Sequence, residues 1–419
     1  MGNIKLFKVK KSINNEVFVK DFEQEILLQL EKENIRNRIA SGAKIAITAG
    51  SRGITHIPEI LSTIIGYFKG LGAHPFIVPS MGSHGGATAE GQLEVLESLG
   101  ISENTLGVPI RSSMEVVEVG KTDCGCPVFM DSIAFHSDAI FVVNRVKVHT
   151  RFKASHESGL LKMIAVGLGK KKGCSLMHEN GLYPIILDSA RVALKKAPII
   201  GGLGIVENSK KKIAKLIVAR SEDIERVDAE LLELEKTLLP SLPIDDIDLL
   251  IVCEMGKNIS GTGMDTNVIG RVATSCMNEN EKPRIKKIVV LSLHKASHGN
   301  ALGMGLADII TQGFYEAIDF RATYENTIAA NVLERAKMPL VQPTDREAIS
   351  LGIKLSATPH TPEPKIICIK NTLQLSEILV SRSVLKEMES KGLPEFLSEQ
   401  IEFPFDGNDS LCIKDLWGN

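Results

Sequence analysis

Three of the ten histidines stand among glycine, small or charged residues rather than in apolar stripes. His84 is set in the run Gly-Ser-His-Gly-Gly, and His149 and His178 occupy similarly polar stretches. Each could cap a turn or lie on the surface, but the glycines beside His84 would allow a ligand to approach the backbone closely. An imidazole takes and returns a proton near neutral pH, as racemisation or oxidation of a substrate requires. Two such groups on opposite faces of a substrate would allow reaction at either face.

A lysine and an arginine are further candidates for chemistry. Two leucines precede Lys162, and a methionine and an isoleucine follow it. It could extend from an apolar helix to water, or its surroundings could yield a neutral amine for covalent cofactor attachment or a Schiff base. Arg52 could lie in a turn, or its planar guanidinium could bind a carboxylate or phosphate through two hydrogen bonds. The three lysines at 170–172 predict a solvated loop or a patch that steers a phosphate.

The elements that position these residues follow a strand, loop and helix pattern. Short apolar runs that end in glycine-rich or polar loops predict strands at 44–48, 74–78 and 138–143. Strands that alternate with helices form mostly parallel sheets, whose carboxyl ends share an edge and bind ligands. Since Arg52, His84 and His149 each follow one of these strands, the sequence predicts that they converge on one edge of one sheet.

A proline-marked segment at 239–243 is the best candidate for a domain boundary. After it the pattern resumes, with strands predicted at 248–253 and 287–293 and a helix from about Leu306. We therefore expect an α/β fold of two α/β domains, whose mostly parallel sheets face each other across an active-site cleft.

The expected boundaries follow from this pattern. Residues 1–240 would form an N-terminal cofactor-binding and catalytic domain, and residues 246–395 a C-terminal α/β domain. The tail, 396–419, is expected to pack back on the N-terminal domain.

Composition excludes several classes of protein. Among 419 residues, 49 Lys and Arg nearly balance 51 Asp and Glu, and aromatic residues make up only 5%, which disfavours a nucleic-acid partner. The longest apolar runs are far shorter than a membrane span requires, and no secretory signal is recognisable. Seven scattered cysteines are typical of a reducing cytoplasm, where we expect the protein to reside. The absence of GxxxxGK[ST] and of a dinucleotide fingerprint disfavours a P-loop protein or a Rossmann dehydrogenase.

The ordered motifs together resemble the nickel-pincer lactate racemase family. The resemblance covers most of residues 45–180, continues more weakly to about 310, and is carried by Gly50-Ser51-Arg52, Gly82-Ser83-His84-Gly85-Gly86, Val148-His149-Thr150-Arg151-Phe152, Ser158-Gly159-Leu160-Leu161-Lys162 and His178. It implies a nickel-bearing pyridinium mononucleotide tethered to Lys162, with His178 as the protein ligand of the nickel. One imidazole with soft sulfur donors suits a square-planar Ni(II) site. We expect Ser83 and Gly85 to line this cofactor site.

The resemblance also implies a reaction, that of an isomerase. His84 and His149 would be paired acid/base residues, and Arg52 would orient the substrate. One histidine would deprotonate the C2 hydroxyl of a 2-hydroxy acid while the C2 hydride moves to the cofactor, and the hydride would return to the other face. The expected partners are this small substrate and the proteins that synthesise the cofactor; the oligomeric state stays open.

Two departures from the family pattern leave alternatives open. The segment after His149 is a few residues longer than in the lactate enzymes, so His156 competes with His149, which we favour. The family's second-domain motif that supplies Tyr, Gln and Lys corresponds here to residues 265–273, which lack these side chains at the matching places. Lys257 or Arg271 could supply the missing positive charge. The substrate could therefore be lactate, or a malate-like, short-chain or sugar acid.

Two other functions remain compatible with these residues. The protein could be a non-catalytic carrier in which Lys162 and His178 hold a metallo-nucleotide for another protein. It could also be a lyase that forms a Schiff base at Lys162 and needs no metal.

Overall fold

The structure, a computed structural model, describes residues 5–10, 18–149, 154–179, 185–208, 210–273, 282–357, 363–393 and 396–417. The strands are β1 Leu6–Lys10, β2 Lys44–Ala49, β3 His74–Pro79, β4 Val116–Lys121, β5 Pro127–Asp131, β6 Ala139–Arg145, β7 Ile199–Glu207, β8 Ile213–Arg220, β9 Asp246–Met255, β10 Arg284–Leu293, β11 Ile309–Thr311, β12 Leu340–Gln342, β13 Ile366–Ile369, β14 Glu377–Ser381 and β15 Phe396–Ile401. The helices are α1 Phe22–Lys32, α2 Ile57–Gly70, α3 Ala89–Ser98, α4 Glu103–Leu106, α5 Ser132–Phe135, α6 Leu160–Lys162, α7 Lys170–Glu179, α8 Ile185–Lys196, α9 Ile224–Leu238, α10 Thr266–Ile269, α11 Gln312–Glu316, α12 Phe320–Ala330, α13 Asp345–Ser356, α14 Arg382–Ser390 and α15 Ile413–Trp417.

The chain divides into two compact units. The N-terminal unit comprises residues 14–239, and the C-terminal unit comprises residues 240–419 together with residues 1–13. The division falls within the proline-marked segment, where the chain leaves α9.

The sheet of the N-terminal unit has the strand order β3-β2-β6-β7-β8. The first four strands are parallel, and β8 joins β7 as an antiparallel hairpin. Along β2, Ile45 and Ile47 pack in one apolar cluster while Ala46 packs in another, so the sheet is covered on both faces. Burial on both faces is typical of a parallel sheet in an α/β protein. A separate hairpin of β4 and β5 completes the unit.

The C-terminal unit contains a mixed sheet in the order β12-β11-β10-β9-β13-β14-β1-β15. The strands from β12 to β13 are parallel, and those from β14 to β15 run antiparallel to their neighbours. Along β9, Leu250 and Val252 pack on one face and Leu249 and Ile251 on the other. The predicted α/β class with mostly parallel sheets is therefore confirmed in both units.

Two expected boundaries differ from the structure. Strand β1 pairs with β14 and β15, so the start of the chain belongs to the C-terminal unit rather than to the N-terminal domain. The tail also differs from expectation, because β15 pairs with β1 and Lys8 donates a hydrogen bond to the carbonyl of Leu416. The tail thus packs on an N-terminal segment, but within the C-terminal unit.

The expected helix near Leu306 is wrong. A short 3-10 helix, Met304–Leu306, ends there, and the chain then forms the strand β11, which extends the parallel sheet beside β10; the next helix, α11, begins at Gln312. Within the described residues, no helix combines the length and the apolar character that crossing a membrane requires.

Candidate active site in the N-terminal unit

Arg52 and His84 follow two adjacent parallel strands. Strand β2 ends at Ala49 directly opposite Pro79, the end of β3, so the loops that follow leave the sheet at the same edge. The hydroxyl of Ser51, next to Arg52, is hydrogen-bonded to Nδ1 of His84. The strand register therefore joins the two loops through their side chains.

The electrostatic surroundings of His84 include both positively charged candidates. Loss of part of its hydration lowers the pKa of His84 below the usual value, and the charges of Arg52 and Lys162 lower it further. The ring keeps its solvent exposure. His84 is consequently neutral at pH 7, the protonation state in which an imidazole can accept a proton.

Lys162 lies at the end of α6, which continues directly into a π-helical turn, Met163–Gly167. The first backbone N–H of this helix, that of Leu160, donates a hydrogen bond of 2.6 Å to Oδ1 of buried Asp228. Burial raises the pKa of Asp228 to about 6. The half-buried Lys162 is thus carried by a helix whose start is held by an internal carboxylate, and π-helical turns are frequent at functional sites.

The Lys162 segment packs directly on the His84 loop. The N–H of Gly82 donates to the carbonyl of Gly167 at 3.2 Å. A Cβ atom on Gly167 would lie 2.7 Å from the carbonyl oxygen of Ser80, so glycine is needed for this approach. The structure therefore brings Arg52, His84 and Lys162 together within one unit.

The other two predicted loop residues have packing roles in the structure. The hydroxyl of Ser83 lies 3.6 Å from Sγ of Cys174 in α7. Gly85 has a positive φ of +65°, and a Cβ there would collide with the backbone of Gly91 in α3. The glycine at 85 is thus required by its contact with a helix.

His149 follows β6, which lies beside β2 on the side opposite β3. Its N–H donates a 2.5 Å hydrogen bond to Oε2 of Glu157, a carboxylate with only 3% of its surface exposed. The preceding N–H, of Val148, donates to Oε2 of Glu235 at 3.2 Å. Burial, together with the charge of Glu157, raises the pKa of Glu235 to about 7, against the opposing effect of nearby positive charges. Buried carboxylates therefore fix the backbone that presents His149.

His156 is engaged elsewhere. Its Nε2 lies 2.9 Å from the carbonyl oxygen of Glu225 in α9, and its Nδ1 lies 3.0 Å from the hydroxyl of Ser155. Because both ring nitrogens have partners, His156 is built into the packing of this segment. The choice of His149 over His156 as the second acid/base residue stays a prediction.

His178 lies in the last turn of α7. The chain from α6 to α7 therefore carries both Lys162 and His178.

Lys257 and Arg271 lie in the C-terminal unit, where both have structural partners. Nζ of Lys257 donates to the carbonyl of Gly261 at 2.7 Å and to Oδ1 of Asn326 at 2.9 Å. The Arg271 guanidinium pairs with Asp308 at 2.8 Å and also donates to backbone carbonyls of residues 285, 286 and 306. These bonds give Arg271 a role in fixing its own unit.

The expectation of a solvated loop at residues 170–172 is wrong, because all three lysines lie in α7 and the first is not solvated. Lys170 is completely buried, and its ammonium pairs with Asp131 at 3.1 Å, while Lys171 and Lys172 are exposed. The sequence reasoning missed this buried pair because the two residues lie far apart in the chain. A signal that could have pointed to it is the glycine-bearing apolar run that ends immediately before Lys170.

The sequence matches no protein-family model and no curated protein. Among solved structures, the lactate racemase apoprotein from Thermoanaerobacterium thermosaccharolyticum is similar over 89% of this chain and 99% of its own, with a TM-score of 0.52 and 14% identity. A protein from Thermotoga maritima is similar over 75% of this chain and 83% of its own, with a TM-score of 0.48 and 14% identity. The first likeness shows that this chain has a lactate racemase-like fold.

Proposed function

We propose that this protein is a racemase or epimerase that inverts C2 of a 2-hydroxy acid, using a nickel-pincer nucleotide tethered to Lys162. The observation that carries the proposal is the meeting of Arg52, Lys162 and a neutral His84 at the carboxyl ends of β2 and β3. Such strand ends are where ligands bind in parallel α/β sheets. The lactate racemase-like fold supports the same assignment.

His84 supplies the proton chemistry in this proposal. When the Ser51 hydroxyl accepts a hydrogen bond from Nδ1–H, the lone pair of His84 is on Nε2 and can receive the proton of a substrate hydroxyl. The lowered pKa keeps this nitrogen unprotonated at neutral pH. Ser51 would thus fix the tautomer that a general base requires.

Arg52 and His149 complete the set of protein groups. The guanidinium of Arg52 would bind the substrate carboxylate through two parallel hydrogen bonds and hold C2 near His84. His149, presented after β6 on the other side of β2, would exchange the hydroxyl proton of the opposite enantiomer. Either histidine would serve as base, depending on which enantiomer is bound.

The residues present fit the implied cofactor. In the described parts of the chain, no three His, Cys, Asp or Glu side chains cluster closely enough to hold a metal ion by themselves. In the proposal, Lys162 would tether the nucleotide and His178 would be the protein ligand of its nickel. When bound, the group would supply reversible hydride transfer at C2. Ser83, in the loop that carries His84, would line the site.

The proposed substrate is a class of 2-hydroxy acids rather than one compound. Since Arg271 is held by Asp308 and by carbonyls of its own unit, the proposal gives the substrate carboxylate to Arg52. Lactate and malate-like, short-chain or sugar acids all present the required hydroxyl and carboxylate.

The test uses protein co-produced with the cofactor-making enzymes. We expect an increase in intact mass, one bound nickel, and deuterium exchange at C2 in a screen of 2-hydroxy acids. Lys162→Ala should lose the mass increment and the nickel. Lys171→Ala, which removes an exposed lysine from α7, should keep both.

Folded wild-type protein with neither the mass increment nor nickel would refute the proposal. Borohydride trapping of a keto acid on Lys162 would then identify a Schiff-base lyase. A loaded protein with no C2 exchange for any acid would instead indicate a carrier of the metallo-nucleotide.

A further inference from the structure

A fully buried lysine lies beneath the His84 loop. Lys170 is the first residue of α7, has a left-handed φ of +51°, and exposes 0% of its surface. Its Nζ donates to the carbonyl of Pro79 at 2.5 Å and to Oε1 of Gln92 at 3.0 Å, and it pairs with Oδ2 of Asp131 at 3.1 Å. Lys170 thus donates two hydrogen bonds and also forms an ion pair with a buried carboxylate.

Gln92 connects Lys170 to the His84 loop through hydrogen bonds. It is also completely buried, in α3. Because Oε1 accepts from Lys170, the amide nitrogen must face the other way, and Nε2 donates to the carbonyls of Gly82 at 3.0 Å and of His84 at 3.4 Å. The charge on Lys170 therefore fixes the orientation of the Gln92 amide.

The network thus holds three carbonyls of one short segment. Lys170 binds the carbonyl of Pro79 at the end of β3, and Gln92 binds the carbonyls of Gly82 and His84. The side chain of His84 is hydrogen-bonded to Ser51 at the opposite end. Both the backbone and the ring of His84 are consequently held.

Asp131 links the same network to the segment that carries Lys162. Its N–H donates to the carbonyl of Leu168 at 2.7 Å, and its Oδ1 accepts from the N–H of Ala134 at 2.8 Å. Leu168 directly follows the π-helical turn after Lys162. The Lys170 and Asp131 pair therefore fixes the His84 loop relative to the Lys162 helix.

Stability alone is a weak reason for such a network. A buried ion pair costs desolvation energy, and apolar side chains of similar volume often stabilise a fold equally well or better. Apolar side chains could not donate hydrogen bonds to the three carbonyls of the His84 segment. The polar side chains of Lys170 and Gln92 therefore fix the position of the His84 segment, which apolar side chains could not do.

We propose that Lys170, acting through Gln92, is a positioning residue that holds His84 beside Arg52 and Lys162. The inference rests on the proposed function for its catalytic meaning, since His84 is the acid/base residue there. The dependence of the His84 surroundings on Gln92 and Lys170 can be measured through the pKa of His84, without an activity assay.

The experiment compares Gln92→Met with a matched control. The pKa of His84 is compared in protein without the cofactor, where Lys162 keeps its charge, and turnover is compared in the cofactor-loaded protein. Methionine is similar in volume to glutamine but neither accepts from Lys170 nor donates to the loop. Ser189→Ala is the control, because it removes another fully buried polar group of the same unit, in α8. The pKa of His84 is measured by NMR on histidine-labelled protein, with His84→Gln to assign the signal.

We expect Gln92→Met to raise the pKa of His84 towards its ordinary value, because a loosened loop exposes the ring to more water and moves it away from Arg52 and Lys162. The kcat for C2 exchange should fall about tenfold to a hundredfold, as expected for a misplaced catalytic group. The acidic limb of its pH profile should shift in the same direction as the pKa. Ser189→Ala should change neither the pKa nor the profile.

A second variant guards against failure of the first to fold. Lys170→Met combined with Asp131→Asn removes both charges at once, leaves no unpaired ion, and keeps an acceptor for the N–H of Ala134. We expect the same rise in the pKa of His84, because the Gln92 amide loses the partner that orients it.

The results separate the two proposals. If both variants lower the melting temperature but leave the His84 pKa as in Ser189→Ala, the network is purely structural and the inference is wrong. If the pKa moves while wild-type protein shows no C2 exchange, the positioning stands and the racemase assignment fails.

Discussion

At the scale of single residues, the buried carboxylates near His149 give the protein a distinctive response to pH. Glu235 is held in a buried site, where burial raises its pKa from the ordinary 4.5 of a glutamate to about 7. Between about pH 4.5 and 7 the folded state therefore binds more protons at this site than the unfolded state. The free energy of unfolding consequently falls as pH rises through this window and loses nothing further at this site above it.

We predict that Glu235→Gln is more stable than wild type at pH 8, by up to about 3 kcal/mol, and close to wild type at pH 4.5. Glutamine keeps an acceptor for the N–H of Val148 but carries no charge to bury. Thermal unfolding followed by far-UV circular dichroism at the two pH values measures the effect. Glu90→Gln, at an exposed position of α3, is the control and should show no pH-dependent difference. A Glu235→Gln protein that is less stable than wild type at pH 8 would contradict the prediction.

Residue-scale features were predictable from sequence only where local pattern determines position. Arg52 and His84 directly follow apolar runs, and the parallel pairing of β2 and β3 then brings their loops together. Lys170 and Gln92 carry no such pattern. The burial of Lys170 depends on Asp131 and on the carbonyl of Pro79, which are distant from it in sequence, so the run of three lysines alone predicted a solvated loop.

At the scale of elements, the helix that carries Lys162 depends on one glycine. Gly159 has extended backbone angles, and a Cβ built there would overlap Oδ1 of Asp228. That oxygen accepts the N–H of Leu160, the first residue of α6. Any side chain at 159 must therefore push the carboxylate away from the helix start.

We predict that Gly159→Ala destabilises the protein by about 1–3 kcal/mol, the usual cost of overpacking, and reduces nickel loading. The matched control is Gly66→Ala in α2, where a Cβ would meet nothing within 4 Å. There alanine should stabilise the helix by about 0.5–1 kcal/mol. Melting temperature and nickel content of the two variants, measured side by side, check the contrast. If melting temperature and nickel content change equally in the two variants, Asp228 does not exclude a side chain at position 159.

Element prediction succeeded for long patterns and failed for short ones. The apolar runs at β2, β3 and β9 extend over five or more residues and end in polar or glycine-rich loops, which is enough to predict strands there. Strand β11 has three residues, and its assignment depends on pairing with β10 rather than on any local signal. The helix expected near Leu306 failed for that reason.

At the scale of the whole molecule, the first strand belongs to the unit formed by the end of the chain. Strand β1 lies between β14 and β15, and its partners are more than 360 residues away in sequence. No local pattern reports such a pairing, which explains why sequence analysis assigned this segment to the N-terminal domain. The stability of the C-terminal unit should therefore depend on residues near the N-terminus.

We predict that Leu6→Ala destabilises the C-terminal unit by about 2–5 kcal/mol, the range for large-to-small changes in a core. Leu6 is completely buried among residues of β9 and β14. The protein has one tryptophan, Trp417, which lies in this unit and 5.8 Å from Nζ of Lys8 in β1. Its fluorescence during urea unfolding therefore reports the C-terminal unit, and the midpoint should fall.

The matched control for this prediction is Leu28→Ala in α1 of the N-terminal unit, where the leucine is 56% exposed. That change should leave the Trp417 transition where it is in wild type, because it removes little buried apolar surface and lies in the other unit. Amide hydrogen exchange adds a second measurement, since Leu6→Ala should speed exchange in β14 first, where β1 pairs directly. An unchanged Trp417 midpoint in Leu6→Ala would mean that β1 adds little to the C-terminal unit. A lowered midpoint would show that this unit depends on both ends of the chain, because a fragment starting at Pro240 would lack the strand that joins β14 to β15.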